Sequence, residues 1–528
     1  MNLIDDVWIP VVRADGRKEK IAPWQIAEIR NPVSEIRAPR PDFQGALYQF
    51  LIGVLQTCFP PADQDEWMKY LGAMPEVEVL KQRFGAMAPA FVLDNPHGPA
   101  FMQDFNLVKS EKKLINALLI EAPGDKTLKD NLDFFIKRDV VTRLCPSCVA
   151  MALFTLQANA PSGGVGHRVS LRGGGPLTTL VLPSGERTLW QTLWLNVLDE
   201  DALVKGIRTP DPRVFPWLAK TRISGKDGLA TRPEDTHPLQ MYWGMPRRIR
   251  ICFDGKKWGK CDICYEESEL IATEYETQNY GTNYVGEWVH PLTPYRFDTK
   301  KEKPPISLKG QRGGLGYRHW LGLFWADSFN GDCAAKVARE YVERRAREID
   351  SHRLAHLWCF GYDMDNMKAR CWYDHTMPLF RLDSAQRANV LEWTAELINA
   401  ARDVADNLRK QVKAAWFRRP EDAKGDMSAV VMEFWQKTET DFYRYLEQLS
   451  RLPGDQRQAP PEIYGGWLKV LRSYAYHLFD EWSLEALGED LDMKRIVTAR
   501  NELEKKLLSS KWMKQLAAKA KSEEAADE

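Results

Sequence analysis

Two short stretches carry paired thiols. LCPSC (144–148) and KCDIC (260–264) supply Cys145, Cys148, Cys261 and Cys264. A CxxC turn can present both sulfurs to one ion, so two such knuckles offer a tetrahedral thiolate set suited to Zn2+. Four sulfurs close the coordination sphere and leave no position for a reactive water, so the expected metal is structural. Between Cys148 and Cys261 lie 112 residues, more than in a compact zinc ribbon. One shared zinc is the expected arrangement, with two separate sites or none as the alternatives. A redox reading competes, because the apolar run VAMALFTLQANA after LCPSC sets Cys145 near a helix N-terminus, where thiolate is favoured. Two knuckles favour metal over redox. A zinc deaminase would need H-x-E ahead of P-C-x-x-C, and the sequence contains no H-x-E. Cys58, Cys252, Cys333, Cys359 and Cys371 lack ligand spacing and are expected to be buried small apolar groups. The histidines are scattered and no nucleophile–base pair stands out. A binding protein is therefore expected; the alternative is a zinc-dependent or thiol-redox enzyme acting on a small substrate.

A polar loop follows each knuckle. SGGVGHRVSLRGGG (162–175) comes after the first, and ATEYETQNYGTNYVGEW (272–288) after the second. Gly163, Gly164 and Gly166 have no Cβ, so the backbone can take positive φ and approach a flat partner, while His167, Arg168 and Arg172 would add donors and charge. The same run also reads as an ordinary glycine-rich turn before a strand. Neither a P-loop nor the dinucleotide fingerprint is present. Net charge is zero, yet PRRIRICFDGKKWGK (246–260) has six basic residues against one Asp, and 300–318 is similarly biased. Such patches suit phosphates, or form a solvated face balanced by the acids at 266–276.

At 528 residues the chain can bury a large core. Hydrophobic content of 44%, 28% charged residues and 19 tryptophans mark a folded globular protein. MNLIDDVWIPVV places acids where a secretory leader carries bases, and no apolar run reaches membrane-spanning length, so a cytoplasmic location with no membrane partner is expected. The fold class expected is α+β. Residues 1–380 form a large irregular α/β body holding the four-cysteine site, with strands such as 176–183 and 247–253. Residues 381–528 form a four-helix bundle: Asp383 and Gln386 resemble a capping box, and helical periodicity recurs through 383–417, 427–452, 461–482 and 493–521. Phe434, Trp435, Phe442 and Tyr445 are expected to pack in its core.

At these residues the chain resembles the large subunit of the type I-E CRISPR Cascade surveillance complex, the CasA family. The resemblance rests on DVWIPV (6–11), LCPSC with KCDIC, APSGGVGHRVSLRGGGPLTTL between them, WVHPLTPY (288–295), FGYDMDN (360–366) and the terminal helices. It implies a non-enzymatic subunit that caps the 5′ end of the guide RNA and reads the protospacer-adjacent motif (PAM) in double-stranded target DNA. It also implies strand separation, contacts with the other Cascade subunits and recruitment of a helicase-nuclease. The family's glycine loop falls on Ser162, Gly163, Gly164, Val165 and Gly166, pressed into the minor groove, where A·T is told from G·C but little else. A second finger, a lysine in the family, lands on Gln278 or Asn279, whose amides bring no charge. The family's glutamine wedge aligns with Asn366, beside Met367, Lys368 and Arg370; Met367 is the alternative insertion. The guide-RNA contact falls on Phe134 or Phe135, with Lys137 and Arg138 beside them; from the residues alone both rings read as core.

Overall fold

The computed structural model describes residues 1–521 except 134–136, 186, 226–227, 254–257, 299, 301, 328–329, 350–354, 366 and 485–491. The chain divides into two units. Unit 1 comprises Met1–Gly310, Ser328–Tyr341 and Trp358–Asp374; unit 2 comprises Gln311–Asp327, Val342–Leu357 and His375–Glu528. Among the described residues no helix is long and apolar enough to cross a membrane.

Unit 1 is built around α1 (Pro41–Cys58), which is buried on nearly every side, as expected of a helix without a polar face. At its middle Phe50 meets Trp8, Phe91, Phe101, Phe154 and Trp243 edge-on, with centroids 5.4–5.9 Å apart. Each such pair adds about 0.5–1.5 kcal/mol beyond burial. Around α1 lie α2 (Gln64–Gly72), α3 (Val77–Gly85), α4 (Asp125–Lys129), α5 (Pro146–Asn159) and α6 (Leu189–Trp194). Phe154 belongs to α5, so the helix that begins at LCPSC runs into this aromatic core.

The strands of unit 1 form several small sheets. β1 (Ile9–Arg13) lies between β2 (Lys18–Ile21) and β3 (Val33–Ile36), both antiparallel. β4 (Glu111–Leu114) and β7 (Arg248–Cys252) flank β10 (Glu274–Gln278), with Gln278 opposite Arg248. β5 (Thr178–Leu182) edges a hairpin made of β16 (Ala355–Asp365) and β17 (Lys368–Leu379), whose tip half lies in unit 1. Short pairs complete the set: β6 (Ala230–Thr231) runs parallel to β11 (Asn283–Tyr284), and β8 (Gly259–Lys260) antiparallel to β9 (Glu267–Ser268). β12 (Tyr295–Arg296) pairs with β13 (Ile306–Ser307) and β15 (Asp332–Cys333). The strands expected at 176–183 and 247–253 are present as β5 and β7. The hairpin was not anticipated, because β16 is buried on both faces over its middle and shows no clean alternation.

Unit 2 contains β14 (Ala326–Asp327), α7 (Trp320–Phe324), the end of α8 (Lys336–Glu343), α9 (Ser384–Trp416), α10 (Ser428–Ser450), α11 (Pro461–Leu484), α12 (Met493–Ser509) and α13 (Lys511–Lys519). α9 packs against α10, α11, α12 and α13. Asp383 caps α9 by accepting from the Gln386 amide N–H at 2.8 Å, but the Gln386 side chain donates to the Ser450 and Leu452 carbonyls, so only half of the capping box forms. The helix expected over 493–521 is two helices. Ser510 is extended (ψ 133°), accepts from the Met513 N–H and donates to Asp403, which starts α13 afresh. Phe434, Trp435 and Phe442 are buried as expected, while Tyr445 is half-buried. Tyr317 stacks on Phe442 at 4.2 Å and hydrogen-bonds Thr438 at 2.8 Å.

Candidate metal centre and nucleic-acid interface

The two knuckles meet. Ligand atoms of Cys145, Cys148, Cys261 and Cys264 all lie within 4.8 Å of one another, and the Cys145 and Cys264 sulfurs are 3.7 Å apart. Tetrahedral thiolate coordination at about 2.3 Å implies sulfurs about 3.8 Å apart. Cys145 is the N-cap of α5 with Pro146 at the first helical position, so Cys148 sits in the first turn, inside the reach of the same ion. Cys261 and Cys264 occupy the turn between β8 and β9, where Tyr265 takes φ 62° and its N–H bonds back to the Cys261 carbonyl.

Protein groups alone bring these turns together. Leu144 and Ala272 exchange both backbone hydrogen bonds, and the Asp262 carboxylate accepts from the Thr142 N–H and hydroxyl and the Arg143 N–H and guanidinium. Lys20 pairs with Glu266 on the same hairpin. Cys145 is 3% exposed and Cys148 and Cys261 are 0% exposed. Hydrogen bonds from Cys145, Cys148 and Cys264 hold the Cys261 thiol well below its ordinary range, while proton sharing with Cys145, Cys261 and Cys264 pushes Cys148 up. Four sulfurs this close cannot all ionise without a cation among them, and this donor set could hold a metal ion. A thiol-redox centre needs a reachable nucleophile, which the burial of Cys145 and Cys148 denies it. Of the other cysteines, Cys58 and Cys359 are buried as expected. Cys252 and Cys333 are half-buried, and Cys371 is exposed, on β17, where only Met377 and Leu379 are buried.

The glycine loop and the 278–281 turn lie against each other. The Tyr280 N–H donates to the Gly166 carbonyl at 2.8 Å. A Cβ on Gly166, whose φ is +80°, would stand 2.9 Å from the Tyr280 nitrogen and the Asn279 Cβ. Gly281 is equally constrained, since a Cβ there would meet the Pro246 carbonyl at 1.9 Å. Ser162 and Gly164 are exposed, and Val165 at the loop's crest is 73% exposed. Behind the loop, Arg247 donates to the Pro161 carbonyl, and its guanidinium lies beside Gly163. Burial lowers the pKa of Arg247 to about 10. Gln278 is engaged: its side-chain oxygen accepts from the Val108 N–H at 3.1 Å. The Asn279 side chain makes no hydrogen bond among the described residues, so of the two amides it is the one left to present.

Several basic residues expected to serve the interface are used internally. Arg168 donates to the Ser224 hydroxyl and carbonyl, both at 2.7 Å, and Ser224 in turn bonds the Gly281 carbonyl. Arg172 is 7% exposed, bonded to Gln49, Thr178 and Thr293, and burial lowers its pKa to about 10. In the 246–260 patch, Arg248 forms a buried pair with Asp104 at 2.6 Å and Arg250 donates to the carbonyls of Gly98 and Asn95. Both lie on the face of β7 opposite the buried Ile249 and Ile251, and each guanidinium finds acceptors within the protein there. Arg138, though exposed, folds onto Asp133 at 2.6 Å, which leaves Lys137 as the cation beside the expected RNA contact with no ion pair among the described residues. Phe134 and Phe135 themselves lie outside the described residues.

The β16–β17 hairpin carries the expected wedge. Asn366 lies outside the described residues, and Met367 next to it is 52% exposed. Arg370 grips the buried Asp363 carboxylate with two hydrogen bonds, at 2.6 and 3.0 Å, bracing the strands below the tip. Gly175 and Gly310 make room for the hairpin: a Cβ on either would come within 3.0 Å of Met364 and of the Tyr362 backbone, respectively. The run RGGG therefore leads from the glycine loop to the tip half of the hairpin, a role that sequence reasoning missed. Its signal was the second cluster of adjacent glycines.

Compared with known proteins, residues 2–478 match the family described as CRISPR-associated protein Cse1. The chain is similar to the crystal structure of CasA from Thermus thermophilus at 18% identity and TM-score 0.68, covering 98% of this chain and 99% of that one. It is similar to Cse1 from Acidimicrobium ferrooxidans at 17% identity and TM-score 0.65, covering 99% and 98%. A chain of a CRISPR RNA-guided surveillance complex matches at 16% identity and TM-score 0.64, covering 96% and 99%.

Proposed function

The chain belongs to the CRISPR-associated Cse1 family, the large subunit of type I-E Cascade, and from that premise we propose that it reads the PAM in double-stranded DNA for a cytoplasmic RNA-guided complex. The observation that carries this reading is the Gly166–Tyr280 contact. It sets a glycine-flanked crest and an amide-bearing turn side by side. Residues 162–166 enter the minor groove, where glycine lets backbone approach the base edges, and Asn279 supplies donor and acceptor beside them. Because Asn279 is neutral, discrimination rests on shape and hydrogen bonding more than on charge. Asn366 or Met367 at the hairpin tip wedges the first pairs apart, and braced Asp363–Arg370 holds the tip.

Zn2+, held by Cys145, Cys148, Cys261 and Cys264, ties the loop bases together as a closed structural ion; it supplies cross-linking and no chemistry. Phe134, Phe135 and Lys137 receive the unpaired 5′ end of the guide RNA. The C-terminal helices act as a four-helix bundle with α12 and α13 as one broken member. The other Cascade subunits complete the particle, and a helicase-nuclease performs the cleavage, this chain being non-enzymatic. Base pairing then tests the remaining sequence.

The test is a binding assay on the complex reconstituted with guide RNA, across a randomised PAM library. Replacing Gly163, Gly164 and Gly166 together with Leu should abolish PAM preference while zinc content stays at one per chain. A triple variant that still ranks the library as the parent does would refute the loop assignment.

A further inference from the structure

A second concave site lies in unit 1, apart from residues 162–166. It is a pocket of about 240 Å³ whose walls include Thr221, Arg222, Thr231, Met245 and Tyr284. Three polar side-chain atoms of the pocket's residues are buried without a hydrogen-bond partner among the described residues: the Thr221 and Thr231 hydroxyls and the Arg222 Nε. Such orphans are uncommon in folded chains because each forfeits its bonds to water, and three in one pocket point to a ligand that completes them. Thr231 is 1% exposed, and its backbone is already spent in the β6–β11 pair opposite Tyr284. All three orphans can donate a hydrogen, and Lys220 adds a cation at the wall. The carboxylate present, Asp235, is taken up by the Arg222 terminal nitrogen at 3.3 Å and the Arg232 N–H at 2.9 Å. Three unpartnered donors on residues lining one pocket match an oxyanion, and the apolar remainder of the wall, Met245 and the Tyr284 ring, matches a carbon skeleton.

We infer that this pocket binds a phosphorylated sugar, either as a free small molecule or as one residue of a nucleic-acid strand. The volume fits a phosphosugar with any base left at the mouth. The inference does not depend on the minor-groove reading, because residues 162–166 and Asn279 take no part in the walls.

The experiment uses the full chain with three probes: ribose 5-phosphate, ribose, and a single-stranded oligodeoxynucleotide. Ribose 5-phosphate should raise the melting temperature and bind at least tenfold more tightly than ribose. Thr231→Val should leave the free chain's melting temperature unchanged or higher, since it removes an unpartnered hydroxyl, and should weaken ribose 5-phosphate at least tenfold. Thr179→Val is the control, a buried unpartnered hydroxyl outside the pocket; it should bind as the parent does. Competition by the oligonucleotide assigns the ligand to a strand, and absence of competition assigns it to a free phosphosugar. Equal binding by parent and Thr231→Val, no preference over ribose, or a lower melting temperature of unliganded Thr231→Val would each overturn the inference.

Discussion

The loop region of unit 1 and the helices of unit 2 reach order by opposite routes. In α9–α12 the backbone satisfies itself four residues away, and apolar stripes then bury Leu397, Phe442, Trp467 and Leu503 completely. Around the glycine loop almost nothing is local: Thr142 holds Asp262, Arg247 holds Pro161, and Arg168 holds Ser224, at separations of 120, 86 and 56 residues. Each such tie must offset the entropy of closing its loop, so a few contacts carry what many carry in the helices. Order made of few ties is easily broken at one point; order made of repeats is not.

Four perturbations would break or sharpen that contrast. Cys148→Ser should have the largest effect, at least about 5 kcal/mol on unit 1, since metal loss is among the few mechanisms that reach this size. Metal analysis should fall from about one ion per chain toward none, while far-ultraviolet helicity of unit 2 survives at temperatures where unit 1 has opened. Phe442→Ala should cost about 3–5 kcal/mol through the cavity left against Tyr317. The expected outcome is the mirror image: helicity melts early and metal content stays. Gly166→Ala should cost about 1–3 kcal/mol from the left-handed backbone alone, with the further clash against Tyr280. Urea denaturation measures the cost, and hydrogen exchange at the Tyr280 amide reports whether the two tips part.

The smallest effect is a pH slope. Burial, and then the charge of Arg172, hold the His290 pKa well below 6.5, and its Nδ1 accepts from the Leu292 N–H at 3.1 Å. The folded state therefore keeps the neutral ring while the unfolded chain takes up a proton. Stability from this group is fully present above about pH 6.5 and is lost as pH falls, by up to about 1.4 kcal/mol per unit. Denaturation midpoints at pH 7, 6 and 5 should show that slope in the parent and a flatter one in His290→Asn.

The four-cysteine cluster was legible because CxxC spacing is a local property that a turn must honour wherever it sits. The helices of unit 2 were legible for the same reason, apart from Ser510, whose hydroxyl found Asp403, a partner 107 residues away. Arginine was the least legible residue. Arg168, Arg172, Arg247, Arg248 and Arg250 looked like a phosphate-binding surface and serve instead as internal braces, because a guanidinium's use depends on which acceptors the fold brings near it. Gln278 and Asn279 could not be separated by sequence; the Val108 amide, 170 residues away, engages one and leaves the other.

What the sequence determined by itself is what one turn of chain can fix: paired sulfurs, capped helices, and glycines free to take positive φ. Only the tertiary structure decided that Cys145 meets Cys264, that Gly166 rests on Tyr280, and that Thr221, Arg222 and Thr231 line one pocket. Those outcomes depend on closing loops of tens to more than a hundred residues, and no local preference encodes which distant group will be waiting at the other end.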